Sequence, residues 1–303
     1  MPPPRRNLLR LAQWALAVAV LGFAIAELVR QWDAVRAAAI AAELHWGLLA
    51  ASCAVVLLTY ALLVEAWRAM VAGFGDTLAY RDAARIWFIS NLGKYVPGKV
   101  WQLGTMAVMA RQRGVSPVAA AGSALVVTLI NTAAGFAVVI LSGVAVVELP
   151  AAAVIAIGVL GTLLLLSPQI VPRVAAVVGR FTGRALPLRP PSTRAVWFAA
   201  AASALAWVTY GLAFYLLARG VGVPATGGPG LYIAVFAGSY LLGFLTLFAP
   251  GGVGVREVVM AAALTKAGMP HGPAILLVLA SRLWLTALEL APAFLFLARH
   301  RPR

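Results

Sequence analysis

The chain has 303 residues, of which 63% are hydrophobic and only 11% charged, and its mean hydropathy is +0.94. A soluble domain of this size needs far less apolar surface to fill its core, so composition excludes a soluble fold and points to an integral membrane protein. The formal net charge is +15, but the arginines lie between hydrophobic runs rather than on one basic face, which argues against nucleic acid as a partner and for an anionic membrane surface.

In chain order, Arg5, Arg6 and Arg10, an apolar run and Ala24-Ile25-Ala26 give residues 1–26 the look of a signal peptide. The run is longer than a signal core, and it reads instead as a retained span over 11–29. Further runs of the roughly 20 residues needed to cross a bilayer cover 46–70, 117–147, 151–168, 195–218 and 272–298. The single cysteine, Cys53, lies in the second of the six runs, which rules out an intrachain disulfide and leaves no thiol cluster for a metal. Residues 169–194, with five arginines and Pro172, Pro187, Pro190 and Pro191, read as a cytoplasmic loop lying on lipid headgroups.

Two apolar stretches are interrupted, at Lys94-Tyr95-Val96-Pro97-Gly98-Lys99-Val100-Trp101 and at Phe248-Ala249-Pro250-Gly251-Gly252-Val253-Gly254-Val255-Arg256-Glu257. Proline removes a backbone donor and glycine frees the backbone, so a helix in lipid breaks there only where the exposed groups face protein, water or ligand. The distribution of basic residues fits this. With a cytoplasmic N-terminus, and with 83–112 and 231–268 each returning to the side they came from, sixteen Lys and Arg fall inside and four, Arg30, Arg36, Arg219 and Lys266, fall outside. A 13-residue arm such as 83–95 rises about 20 Å, enough to reach the middle of a core roughly 30 Å thick but not to cross it. The reading is an all-α polytopic membrane bundle of about six full spans plus two re-entrant hairpins. The arm 231–249 is long enough to cross alone, so a count of eight helices has the same parity.

The order span, span, hairpin, span recurs in 11–147 and 151–298, with the prolines 250 − 97 = 153 positions apart. Three crossings per half is odd, so the second half is expected to be inverted. Only Glu148-Leu149-Pro150 separates the halves, too little for a linker, and 1–303 is one membrane domain. Paired breaks of this kind point to a transport site. Proline suits the first helical turn, so Pro97 and Pro250 would open two helices whose free N–H groups converge on an anion. Lys94 and Lys99 flank the first turn, Arg256 follows the second, and Gly98, Gly251, Gly252 and Gly254 would let a phosphate-bearing headgroup approach the backbone.

Arg282 and Glu289 share one face of the last span, seven residues apart and away from its ends. Charges at that depth face protein or an aqueous cavity, and their separation is too large for a snug pair, so each needs another partner, Glu257 and Arg256 being candidates. Glu65 and Arg68 read as a local pair, and Asn131 and Thr132 as helix-packing groups. The tryptophans, Trp14, Trp32, Trp46, Trp67, Trp87, Trp101, Trp197, Trp207 and Trp284, read mostly as interfacial anchors near span ends. His45, His271 and His300 are scattered, and there is no P-loop, dinucleotide fingerprint or nucleophile elbow. No enzymatic activity, metal or cofactor is expected.

The strings PGGVGVRE at 250–257 and KYVPGKVW at 94–101, together with Arg282, resemble the flippase-like domain family, the membrane part of lysylphosphatidylglycerol synthases, over nearly the whole chain. The resemblance implies translocation of a lipid between leaflets, with Arg256, Glu257 and Arg282 at the family's charged positions. The first motif departs from the pattern: many members carry an arginine and a glutamate just after its glycine, where this chain has Lys99 and Val100. The soluble aminoacyl-transferase domain of the synthases does not follow before Arg303, so the chain is not expected to make lysyl-lipid on its own. The partner expected is an anionic phospholipid or polyprenyl-linked lipid, with a lipid-modifying transferase as a possible companion. The protein is expected in the cell membrane with both termini cytoplasmic. A secondary transporter of a small anionic solute and a non-transporting scaffold for a transferase are the other readings.

Overall fold

The computed structural model describes residues 32–95, 100–143, 191–224, 226–246 and 254–298. The expected spans at 11–29 and 151–168, the loop 169–190, and the turns holding Pro97, Gly98, Lys99, Pro250, Gly251 and Gly252 lie outside the described residues. Among those described, the chain is all helical: α1 Trp32–Ala41, α2 Trp46–Gly73, α3 Tyr80–Asn91 continued by a 3₁₀ turn Leu92–Tyr95, α4 Val100–Arg111, α5 Pro117–Gly143, α6 Thr193–Val221, α7 Pro229–Leu245, α8 Val255–Lys266 and α9 His271–Ala298. By length and hydropathy α2, α5, α6 and α9 are each able to cross a membrane, at the places the apolar runs predict.

The helix ends follow local chemistry. Ser192 caps α6, its Oγ accepting from the Ala195 N–H at 3.3 Å, and Gly222 ends it in the left-handed region at φ +74°, where a side chain would be strained. Pro229 opens α7, where its missing N–H costs nothing.

The most extensive packing is α2 on α6, and the two run antiparallel. His45 N–H donates to Gly220 O at 2.8 Å at one end, and Ser192 N–H to Gly73 O at 3.2 Å at the other. Between them Ser52 Oγ donates to Ala213 O at 2.7 Å, and Thr59 Oγ1 to Thr209 Oγ1 at 2.8 Å. Close approach is possible because α6 buries Ala195, Ala199, Ala202, Ala206 and Ala213 along one seam. Hydrocarbon offers no hydrophobic drive between helices, so small residues and hydrogen bonds carry such an interface.

Thr59 and Thr209 stand 150 positions apart, within Thr59-Tyr60-Ala61-Leu62 and Thr209-Tyr210-Gly211-Leu212. The same four-residue pattern therefore meets itself where α2 crosses α6. Exchanging α2, α3, α4 and α5 for α6, α7, α8 and α9 maps each pairing among these eight helices onto another that also exists: α2·α3 onto α6·α7, α3·α4 onto α7·α8, α4·α5 onto α8·α9, and α3·α9 onto α7·α5; α1, which packs on α9, has no described mate. These eight described helices form an internal pseudo-dimer whose two-fold axis passes through the threonine pair. Equivalent helices that touch and run antiparallel are related by an axis perpendicular to them, the geometry of inverted halves.

Each hairpin closes on itself. Arg113 at the end of α4 pairs with Asp82 at the start of α3, Nη1 to Oδ1 at 3.3 Å, and Ser116 N–H donates to Asp76 Oδ2 at 2.9 Å; this is the end where α2 stops and α6 begins. Gln102 Nε2 donates to Asn91 Oδ1 at 2.5 Å, joining the two arms. The α7/α8 hairpin starts and finishes at the opposite end, after α6 and before α9. Its arms of 17 and 12 residues are roughly 25 and 18 Å long, against about 42 Å for α2.

Candidate functional site: a buried arginine between aromatic rings

α8 begins at Gly254, whose φ of +88° suits glycine alone, so the chain can turn sharply into the helix there. Three residues on, Glu257 Oε2 reaches back to accept the Gly254 N–H at 2.6 Å, placing a carboxylate on the positive end of the helix. Its other oxygen, Oε1, pairs with Arg282 Nη1 on α9 at 3.4 Å. The sequence expectation that Arg282 finds a partner other than Glu289 holds, and Glu257 is that partner. Both oxygens of Glu257 are thus engaged, one capping α8 and the other holding it to α9.

Arg256 points the other way. It is 6% exposed, and its guanidinium carbon sits 5.2 Å from the centroid of Phe236 and 5.0 Å from that of Tyr240, both on α7. These cation–π contacts hold the charge and orient the plane. Nη2 is buried without a hydrogen-bond partner. Leaving a buried donor of this kind without an acceptor costs about 1–3 kcal/mol.

Around this cation an aromatic wall gathers from four helices. Tyr60 of α2 lies 5.5 Å from Trp87 of α3 and 6.0 Å from Tyr210 of α6, and Tyr210 stacks on Phe236 at 5.6 Å. The pair Tyr60–Trp87 is the two-fold mate of Tyr210–Phe236. Glu289 of α9 acts electrostatically on Tyr60, Tyr210 and Arg256, while the buried Tyr60 hydroxyl has no partner at hydrogen-bonding geometry. A cation, a carboxylate and tyrosine hydroxyls thus meet near the middle of α2 and α6, within an otherwise apolar bundle.

Of the residues singled out from sequence, Gly254, Arg256, Glu257, Arg282 and Glu289 come together here. Lys94 sits in the 3₁₀ turn that ends α3, and its side chain, like the turn residues Pro97, Gly98, Lys99, Pro250, Gly251 and Gly252, lies outside the described residues. Glu65 and Arg68 form the expected local pair at 2.6 Å. Thr132 Oγ1 donates to Thr128 O within its own helix, and the Asn131 backbone carbonyl accepts from Trp207 Nε1 at 2.7 Å. The tryptophans divide. Trp46, Trp101 and Trp197 are exposed, but Trp67, Trp207 and Trp284 are buried and Trp87 joins the aromatic wall. For these four the anchor reading is corrected: Trp67, Trp207 and Trp284 are buried against neighbouring helices and Trp87 partly so, because the bundle has sites large enough to take an indole.

Tyr60, Tyr210, Phe236 and Tyr240 were not legible as site residues. Aromatics are ordinary in apolar helices, and the available signal was the repeated Thr-Tyr-x-Leu at one offset. Among curated proteins, none matches the chain. From residue 11 to residue 292 it matches the family described as the lysylphosphatidylglycerol synthase TM region, the membrane part of a lipid-modifying system, and the protein belongs to that family.

Proposed function

We propose that the protein binds the anionic headgroup of a phospholipid or lipid-linked intermediate at Arg256 and moves it between leaflets, without catalysing a reaction itself. The observation that carries this reading is the buried guanidinium with an unpaired Nη2. Glu257, its neighbour in sequence, already has both oxygens engaged with Gly254 and Arg282, so Nη2 of Arg256 is left for a further acceptor. A phosphate oxygen would supply the missing charge-assisted hydrogen bond, and the lipid association of the family supports a lipid as its carrier. On this reading Arg256, Arg282 and the Pro-Gly turns line the headgroup path, and the two hairpins are re-entrant from opposite faces of the cell membrane. A lipid-modifying transferase would act before or after the translocation step.

The test is reconstitution into vesicles with headgroup-labelled phospholipids and polyprenyl phosphates, followed by the rate at which label becomes accessible from outside. Arg256→Gln is expected to slow exchange by roughly tenfold to a hundredfold, the worth of a hydrogen bond to a charged group. Absence of exchange for any phospholipid or polyprenyl carrier by the unaltered protein would sink the proposal in favour of a scaffold. Exchange of free anions without lipid would favour a solute carrier.

A further inference from the structure

The pseudo-two-fold is unequal in its contacts, and most of all around α9. α5 packs extensively on α6, but the mate of that contact, α9 on α2, is sparse, and α5 on α7 likewise exceeds α9 on α3. α9 is packed instead against α1, a contact without a described mate on α5.

The source of this inequality is visible in single residues. Trp207 of α6 is 3% exposed; its indole fills the space beside Gly135 of α5, where an added Cβ would lie 2.7 Å from the ring, and its Nε1 bonds to Asn131 O. Trp67 of α2 likewise donates to Ala120 O of α5 at 3.4 Å. The offset of 150 set by the threonine pair makes Leu57 the mate of Trp207 and Leu217 the mate of Trp67. A leucine donates no hydrogen bond. Leu57 is 42% exposed, where its mate is covered.

α5 begins at Pro117 and α9 at His271, an offset of 271 − 117 = 154, which puts Glu289 at the position of Gly135. Where the first half has a glycine beside a tryptophan, the equivalent positions of the second half are Glu289 and Leu57. Neither side chain can reproduce the insertion of an indole over a glycine. Three residues on, Pro292 lies inside α9 and deprives the Leu288 carbonyl of its intrahelical donor, the usual origin of a kink or hinge.

We propose that α9 is the moving wall of the molecule and α5 its fixed counterpart, with α9 swinging about Pro292 to open a sideways cleft between α9 and α2 through which a membrane lipid reaches Arg256. The route for lipid rests on the function proposed above; the mobility of α9 does not. The cleft would have Arg282 and Glu289 of α9 on its inner side and Leu57 and Leu58 of α2 toward the acyl chains, Leu58 being 70% exposed. A polar interior with an apolar mouth suits a ligand with a charged head and two hydrocarbon tails.

The experiment is pulsed electron–electron distance measurement in lipid nanodiscs on the full chain, in a Cys53→Ala background, with spin labels on exposed sites. One pair, Leu58→Cys with Leu283→Cys, reports α2 to α9; the control, Leu205→Cys with Leu129→Cys, reports α6 to α5. The α2–α9 pair is expected to show a broad or two-component distribution separated by about 5 Å, the scale of helix shifts in switching proteins. The control is expected to be single and narrow, and Pro292→Ala is expected to collapse the α2–α9 distribution to one component. Equally narrow distributions for both pairs, or broadening on the α5 side, would overturn the proposal. Replacing anionic by neutral nanodisc lipid separates the two claims: populations that shift with lipid charge support the lipid route, whereas a mobile α9 indifferent to lipid charge supports the hinge and counts against an anionic headgroup as ligand.

Discussion

Arg256 and Glu257 are neighbours in sequence with opposite duties. Glu257 uses both oxygens inside the protein, one on the backbone of Gly254 and one on Arg282, so its work is positional. Arg256 is held by aromatic faces and keeps a nitrogen unpaired. Their variants are therefore expected to fail in different ways. Glu257→Ala removes a helix cap and leaves Arg282, 25% exposed, without its carboxylate; it is expected to lower stability by about 1–3 kcal/mol. Tryptophan-monitored unfolding in detergent checks it, and a double-mutant cycle with Arg282→Gln is expected to return a coupling on the order of 1 kcal/mol. Arg256→Lys keeps the charge but loses the planar fork stacked on Phe236 and Tyr240, so lipid binding is expected to weaken while unfolding changes little. A Lys variant that binds lipid as the parent does would place the anion elsewhere. These charged residues stand out in the sequence because a charge inside an apolar run is rare and costly. The tyrosines beside them do not, since a tyrosine in such a run is unremarkable until its hydroxyl is seen to be buried.

At the level of helices, the contacts are set by the smallest side chains. Gly211 of α6 faces α7 so closely that a Cβ there would lie 2.3 Å from the Ile233 Cα, whereas at Gly104 of α4 an added Cβ meets nothing within 4 Å. Gly211→Ala must push two backbones apart and is expected to cost roughly 1–3 kcal/mol. Gly104→Ala gains helix propensity and is expected to stabilise by about 0.5–1 kcal/mol. Paired thermal melts of the two variants test whether helix approach, rather than apolar area, governs this bundle. The positions of α2, α5, α6 and α9 follow from hydropathy alone, since the apolar runs at 46–70, 117–147, 195–218 and 272–298 coincide with the observed helices to within a few residues. Which helix lies against which does not follow. Every face of such a helix is apolar, so no moment marks the buried side, and the seam of alanines on α6 looks like any alanine-rich run.

For the whole molecule, the pseudo-two-fold places the hairpins at opposite ends of the α2/α6 pair. The end bearing Asp82 and Arg113 and the end where α8 gives way to α9 are then expected on opposite sides of the membrane. In a Cys53→Ala background, Arg111→Cys and Lys266→Cys are expected to react with a membrane-impermeant thiol reagent from opposite sides of sealed vesicles, and reaction of both from one side would disprove the inverted arrangement. The odd number of crossings per half and the bias of basic residues predict the same arrangement.

From the order of residues came a membrane protein in two matching halves, the places where its helices break, and the charges worth watching. All of these rest on local physics: what lipid tolerates, where a chain lacking an N–H can go, and how far a helix reaches. The engagement of Glu257 by Arg282, the confinement of Arg256 between Phe236 and Tyr240, and the unequal grip on α5 and α9 came from folding alone. Each depends on which side chains meet across helices about 150 positions apart, and in an apolar bundle that is fixed by packing shape, which no single helix carries.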